Sequence, residues 1–158
     1  MRRIGFFVCP GHDALDLAGP LSAFNQVATA AGHTPYDLRV ISMSGGPVVG
    51  NTGLPIETRP VGNRRFDTVV FVGGDIEPMQ TAENIAIAKQ LASKASRVAS
   101  VCTGAFLLAE TGLLDGLRAT THWSYTAQLQ LRFPTIKVEG DSIYIADGRI
   151  WTSAGIAS

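Results

Sequence analysis

The stretch VASVCTGAFLLAETGLL, residues 98–114, joins a short apolar run to a helical pattern through a single cysteine, Cys102. The apolar residues before Cys102 are typical of a buried strand, and those after it predict a helix that ends at Gly112. Gly104 and the alanine after it are small, so the strand and the helix can approach each other closely. The stretch therefore predicts a strand, a sharp turn at Cys102 and a helix that begins at Thr103.

Short apolar runs and helical patterns alternate along the rest of the chain. The predicted strands are residues 3–9, 36–43, 67–74 and 97–101, the predicted helices are 20–32, 78–95 and 103–112, and a hairpin is predicted within 46–58. The first helix is placed at Pro20 because proline is best tolerated at the first helical position. This order predicts an α/β fold with a mostly parallel sheet and helices on both of its faces.

The composition excludes several classes of protein. The chain has 158 residues, 46% of them hydrophobic and 16% charged, which is typical of one globular domain. The formal net charge is zero, so these residues carry no basic excess that would indicate nucleic-acid binding. No apolar stretch is long enough to span a membrane, and the first residues lack the pattern of a signal peptide. Two cysteines make no disulfide framework, and we expect a cytoplasmic protein.

Three candidate site residues lie where predicted strands end, which is where parallel sheets place their functional sites. Gly73 and Gly74 follow one strand, and Cys102 follows another. The helix that begins at Thr103 directs N–H groups and partial positive charge at the sulfur, which predicts a lowered pKa for Cys102. The N–H groups of Thr103 and of Gly73 or Gly74 would hold an oxyanion. The alternative is that Cys102 is a small buried apolar residue.

Two further titratable residues are candidates for the same site. Asp16 lies in the apolar segment ALDLAGP and would be costly to bury without a partner. If it faces Cys102, the pair favours a protonated Asp16 that donates a hydrogen bond to a thiolate; alternatively, Asp16 caps a helix. His122, in LRATTHWSYTAQLQ, would act as a general base or proton shuttle, or it is a structural histidine beside a tryptophan.

The sequence predicts no metal site and no cofactor. Cys9, His12 and Asp13 lie within five residues of one turn, which is a weak match to a set of metal ligands. The segment VGGD has two glycines but lacks the rest of a phosphate loop or a dinucleotide-binding fingerprint.

Four segments resemble motifs of the ThiJ/PfpI superfamily, in order and over essentially the whole chain. They are LDLAGPLSAF (15–24), VFVGGD (70–75), VCTGAFLLAETGLLDGLRATTHW (101–123) and GRIWTSAGIA (148–157). The resemblance implies a flavodoxin-like fold of the class I glutamine amidotransferase type, with Cys102 on a strand-to-helix elbow facing Asp16 and with His122 nearby. It also implies a ligand pocket lined by Gly73, Gly74, Thr103 and Gly104.

Two branches of this superfamily are the most similar. One is the N-terminal domain of AraC-type transcription regulators, and the other is isonitrile hydratase. Residues 132–157, RFPTIKVEGDSIYIADGRIWTSAGIA, resemble the regulators more than the hydratase. We therefore expect a ligand- or redox-sensing domain for an unidentified small molecule. DNA would be bound only by a domain outside this chain. The alternative is a cysteine-dependent enzyme similar to isonitrile hydratase.

The chain departs from the family pattern at two points. A histidine follows the cysteine directly in the peptidase-like branch, whereas Thr103 stands here. The family pattern also continues beyond TSAGIAS, so residues 1–158 are expected to be one domain shortened at its C-terminus, with any DNA-binding domain beyond Ser158. A homodimer is expected, in which Trp123, Trp151 and Tyr125 are interface anchors or, alternatively, core residues.

Overall fold

Eight strands form the central sheet in the computed structural model, which describes residues 1–33 and 35–155. The strands of this sheet are β1 (Arg2–Phe7), β2 (Tyr36–Ser42), β3 (Gly46–Val49), β4 (Pro55–Pro60), β5 (Thr68–Phe71), β6 (Arg97–Val101), β9 (Tyr144–Asp147) and β10 (Ile150–Ser153). Two short strands, β7 (Arg118–Ala119) and β8 (Lys137–Val138), pair in parallel as a separate sheet. The helices are α1 (Ala14–Ala31), α2 (Ile76–Met79), α3 (Ala82–Lys94), α4 (Gly104–Glu110) and α5 (Thr126–Arg132), with a 3₁₀ turn at Trp123–Tyr125.

The sheet has the mostly parallel order that the sequence predicts. Its strands lie in the order β3-β4-β2-β1-β5-β6-β10-β9. The neighbours from β4 to β10 are parallel, whereas β3 pairs with β4 and β9 with β10 in antiparallel fashion. The predicted hairpin within 46–58 is confirmed as β3 and β4. The carboxyl ends of β1, β5 and β6 therefore meet at one edge of the sheet, where the candidate residues lie.

The two faces of the sheet are covered unequally. On one face, α3 and α4 bury the larger core, which includes Phe71 and Val98 from the strands and Phe106 from α4. On the other face, α1 packs through Leu17 and Phe24 against the side chains of β1, among them Phe6. Beside α1, the strands β5, β6 and β10 leave an apolar groove of about 390 Å³. Helices thus lie on both faces, as predicted.

Two predicted helix boundaries are wrong. Helix α1 begins at Ala14 rather than at Pro20, because the Asp13 carboxylate accepts hydrogen bonds from the N–H groups of Leu15 and Asp16. Pro20 lies inside the helix, and the cap and the packing of α1 outweigh the one helical hydrogen bond that proline removes.

The predicted helix over 78–95 is two helices, α2 and α3. Thr81 separates them, because its side chain accepts a hydrogen bond from the Asn84 N–H and starts a new helix.

Candidate functional site

Cys102 occupies a strained turn between β6 and α4. Its φ is 56°, and it is the one non-glycine residue with a positive φ within 1–33 and 35–155. This region is costly for a residue with a side chain, so neighbouring groups must hold it. The Cys102 N–H donates to the Ser153 carbonyl over 3.0 Å, and the Thr121 hydroxyl donates to the Cys102 carbonyl over 2.8 Å. The peptide groups before and after Cys102 are therefore both held by hydrogen bonds to neighbouring strands and loops.

Close backbone contacts around the turn explain the glycines nearby. A Cβ on Gly104 would overlap the carbonyl of Phe71 in the neighbouring strand. A Cβ on Gly73 would lie 2.7 Å from the Val101 carbonyl oxygen and 2.8 Å from the Thr103 nitrogen. These two glycines let β5, β6 and α4 approach one another, which is the packing role that small residues at the junction predict.

The Cys102 thiol lies against Asp16, as the family resemblance implies. Both residues are buried, with exposed fractions of 4% and 1%, and a hydrogen bond joins the thiol to the carboxyl. Asp16 does not cap α1, because Asp13 occupies that position. The alternative assignment of Asp16 as a helix cap is therefore wrong.

The expected stabilisation of a thiolate is also wrong. Burial, followed by the charge of Asp16, raises the pKa of Cys102 from 9.0 to about 12, although the Thr103 N–H bonded to the sulfur acts in the opposite direction. The hydrogen bond between Cys102 and Asp16 acts in the same direction as burial. The raised pKa contradicts the expected thiolate at Cys102, whereas the protonated state of Asp16 stays a prediction. Desolvation and nearby carboxylates outweigh the start of the seven-residue helix α4.

Thr103 ties the Cys102 turn to the loop after β5. Its hydroxyl donates to the Gly74 carbonyl over 2.6 Å and accepts from the Gly74 N–H over 2.8 Å. The Gly74 N–H is therefore engaged by a side chain, and the Thr103 N–H points to the sulfur. Of the two predicted oxyanion pairings, the one of Thr103 with Gly74 is therefore occupied by these hydrogen bonds, and the one of Thr103 with Gly73 stays a prediction.

A cavity of about 290 Å³ opens beside Cys102. Its lining comprises Asp13, Asn51, Gly74, Asp75, Cys102, Thr103, His122, Ser124 and Tyr125. Gly74 and Thr103 thus lie where the sequence places them, whereas Gly73 and Gly104 are buried in the backbone contacts behind the cavity and do not line it. The charged side chains of the lining are aspartates, with Asp16 buried beneath them. The cavity therefore favours neutral or positively charged ligands over anions.

His122 forms part of the cavity wall. Its Nδ1 accepts a hydrogen bond from the Ser124 N–H over 3.0 Å, so the ring caps the 3₁₀ turn. The ring also stacks on Trp123, with 5.4 Å between the ring centroids, and meets the edge of Tyr125 at 5.8 Å. His122 thus faces the same cavity as Cys102 and packs against Trp123, and its role as a general base or proton shuttle stays a prediction.

Several residues of the site escaped sequence reasoning. Asn51 reaches the cavity because its N–H donates to the His12 carbonyl over 2.9 Å, which ties the hairpin to the start of α1. Asp75 and Tyr125 reach the lining from other loops. Thr121 acts only through the backbone of Cys102. A local sequence pattern could have indicated the helix cap at Asp13. The other residues reach the cavity through contacts between segments that are distant in sequence, which no local pattern indicates.

The two cysteines are free thiols. Cys9 is buried, and burial raises its pKa to about 12. The His12 ring lies near Cys9 in sequence, but its Nε2 contacts the Val48 carbonyl at 3.2 Å. Within the described ranges, no three His, Cys, Asp or Glu side chains are grouped as metal ligands. No helix in these ranges is long and apolar enough to cross a membrane.

Comparison with known proteins identifies relatives of two kinds. The profile of the DJ-1/PfpI family matches residues 2–158. Isonitrile hydratase from Pseudomonas putida is 32% identical over 165 residues, which cover 99% of this chain and 66% of the hydratase. The HTH-type transcriptional regulator GbdR from Pseudomonas aeruginosa is 29% identical over 160 residues, which cover 99% of this chain and 43% of GbdR. The chain thus spans less than half of that regulator's length.

A third relative has about the same length as this chain. It is an uncharacterised protein encoded in the cpoL 5′ region of Streptomyces lividans, 44% identical over 138 residues that cover 85% of this chain and 96% of that protein.

Solved structures support the fold. A ThiJ/PfpI family protein from Pseudomonas syringae superposes with a TM-score of 0.81 at 26% identity, over 98% of this chain and 62% of that chain. An AraC family transcriptional regulator from Pseudomonas putida superposes with a TM-score of 0.82 at 16% identity, over 98% of this chain and 84% of that chain. At that identity, the second likeness shows the fold alone.

Proposed function

Because this chain belongs to the DJ-1/PfpI family, we propose that it is the ligand-sensing domain of an AraC-type transcription regulator. The observation that carries the proposal is the cavity beside Cys102, in a domain similar to the N-terminal domains of such regulators. A small molecule bound against Asp13, Asp75 and Tyr125 would be detected there, and a domain outside this chain would bind DNA. The protein would act in the cytoplasm.

The state of Cys102 favours a ligand over an oxidant as the signal. Oxidation to a sulfenic acid begins from the thiolate, and a pKa of about 12 keeps Cys102 in the thiol form near neutral pH. The cavity next to it has room for a small molecule and presents carboxylates and an aromatic ring. Of the two kinds of sensor that the sequence predicts, a ligand sensor is therefore better supported than a redox sensor.

The parent gene gives the first test. We expect its reading frame to continue beyond the Ser158 codon into a helix-turn-helix domain. A stop codon after one or two further helices would contradict the regulator proposal. In a regulator, transcription from a reporter promoter should respond to a compound that also raises the melting temperature of residues 1–158. The first panel would contain short alkylammonium ions, primary amides and carboxylates, and carboxylates should bind worst.

A matched pair of variants tests the role of the thiol. Cys102→Ala should alter the response of the reporter to the bound compound. Cys9→Ala is the control, because Cys9 is equally buried but does not line the cavity. An unchanged response in Cys102→Ala would remove the cysteine from the sensing mechanism.

An isonitrile hydratase activity is the second candidate, and the Cys102–Asp16 hydrogen bond favours it. The sulfur would bond to the isonitrile carbon while the thiol proton passes through Asp16 to that carbon, giving a thioimidate. Water would then add to the same carbon, the carbon–sulfur bond would break, and an N-substituted formamide would leave with the thiol restored. Incubation with alkyl and aryl isonitriles should yield formamide that Cys102→Ala no longer forms. No turnover with either class would exclude this activity.

A homodimer is part of the proposal and rests on exposed aromatic residues. Trp123 is 75% exposed and Trp151 39%, so neither is a core residue, although the sequence left that alternative open. Exposed aromatic rings are enriched at the centres of protein interfaces. Sedimentation of the chain over a range of concentrations should show a dimer, and a monomer throughout would contradict it.

A further inference from the structure

The carboxyl end of β10 lies directly behind Cys102. Ser153 accepts the hydrogen bond from the Cys102 N–H over 3.0 Å. Two residues later, Gly155 approaches so closely that an added Cβ would lie 2.7 Å from the Cys102 nitrogen and 2.8 Å from its Cα, and would overlap its Cβ. Gly155 also has a φ of 71°, which favours glycine. The backbone of Cys102 is therefore in direct contact with Gly155, which follows β10.

We propose that Gly155 is a positioning residue for Cys102 and couples the site to the chain that follows β10. A ligand or covalent group that displaces the Cys102 backbone must also displace Gly155, because close-packed atoms cannot absorb the shift. The coupling rests on the proposed function only in one respect. In a regulator, the chain after Gly155 is the chain that leads toward the DNA-binding domain.

Hydrogen bonds on the N-terminal side of Gly155 oppose such a displacement. On the N-terminal side, the Ala154 N–H donates to the Ile143 carbonyl over 2.8 Å, and the Thr152 hydroxyl accepts from the Thr120 N–H over 2.9 Å. The strand β10 is also held between β6 and β9. These contacts fix the chain up to Ala154. Gly155 is thus the first residue after the anchored strand, and it touches Cys102.

Alkylation of Cys102 by iodoacetamide measures the coupling in one direction. The experiment uses the 158-residue chain with Cys9→Ala, so that Cys102 is the only thiol. Gly155→Ala inserts a Cβ against Cys102 and should change the alkylation rate by about fivefold or more. Gly148→Ala is the matched control: Gly148 has a similar φ of 61°, but an added Cβ there meets nothing within 4 Å. Gly148→Ala should leave the rate unchanged, and equal rates in the two variants would overturn the coupling.

The reciprocal measurement needs no substitution at Gly155, so it holds even if Gly155→Ala does not fold. Coupling between two sites acts equally in both directions. In the Cys9→Ala chain, alkylation of Cys102 should shift the amide NMR resonances of Gly155 and of Ile156 but not that of Gly148. The chain that also carries Cys102→Ala should show no shift after the same treatment. Unshifted Gly155 and Ile156 resonances in the alkylated chain would overturn the proposal.

These results are separable from the test of the proposed function. Both measurements use the chain alone, without DNA or a sensed ligand. A parent gene without a DNA-binding domain would contradict the regulator proposal and leave the coupling intact. Conversely, unchanged alkylation rates and resonances would contradict the coupling even if the regulator responds to its ligand.

Discussion

At the scale of single residues, Cys102 lies in a turn typical of a nucleophile, but its thiol has a pKa that keeps it protonated and poorly reactive. Its positive φ and its location between β6 and α4 are features of a nucleophile elbow. Its burial and the adjacent Asp16 carboxylate, however, raise its pKa to about 12. The site therefore holds a buried thiol that is hydrogen-bonded to Asp16. This state suits a ligand contact, or a reaction in which the substrate takes up the proton, better than direct oxidation.

The pH dependence of Cys102 alkylation follows from this state. Only the thiolate reacts, so a pKa of about 12 rather than 9.0 predicts alkylation about a thousandfold slower than that of a free thiol near pH 8. The rate should rise with pH through pH 9 without levelling off, because the folded-state pKa lies well above that range. The measurement is the alkylation rate of the folded Cys9→Ala chain against that of the same chain in urea.

Burial is the main cause of the raised pKa of Cys102, and Asp16→Asn tests the second cause, the charge of Asp16. The substitution keeps the size of the side chain but removes the carboxylate charge that disfavours the thiolate. Alkylation of Cys102 should therefore be faster and should level off at a lower pH than in the parent chain. A Cys102 that titrates near 9.0 in the parent chain would contradict the description of the site.

At the scale of elements, the sequence predicts best where local pattern and tertiary packing agree. The strand, cysteine and helix at 98–114 were predicted because apolar periodicity and small residues both indicate the turn. The start of α1 was predicted wrongly because only the proline rule was applied and the Asp13 cap was not considered. Asp16 was placed opposite Cys102 through the family resemblance, whereas Asn51 and Asp75 were missed. Their positions depend on contacts between distant loops, which leave no periodic signal in a single sequence.

The Asp13 cap can be tested through stability. Asp13→Ala removes the acceptor for the first N–H groups of α1 and should lower the free energy of unfolding by about 1 kcal/mol. Asp75→Ala is the matched control, since Asp75 also precedes a helix and lines the cavity but makes no side-chain cap hydrogen bond. Urea denaturation should show a clear loss for Asp13→Ala and little change for Asp75→Ala. Equal losses would mean that the cap does not decide where α1 begins.

At the scale of the whole molecule, the sheet is covered more completely on the α3 and α4 face than on the α1 face. Between α1 and β9, the lining of the groove of about 390 Å³ includes Val70, Ala99 and Trp151. The rings of Trp151 and Tyr144 stack at 6.0 Å, and the Arg97 guanidinium lies 5.5 Å from the Trp151 ring. An open apolar surface of this kind is available to hydrophobic probes.

Binding of the dye anilinonaphthalene sulfonate measures this surface directly. The native chain should increase the fluorescence of the dye, because the groove offers an apolar floor and Arg97 offers a positive charge for the sulfonate. Ala99→Glu places a negative charge in the floor and should remove most of the increase. Leu131→Glu is the control, because Leu131 is 83% exposed on α5 and does not line the groove. Far-ultraviolet circular dichroism must be unchanged in both variants. If the fluorescence increase is unchanged in Ala99→Glu, the dye binds elsewhere, and the prediction that the groove is the apolar surface that binds the dye is contradicted.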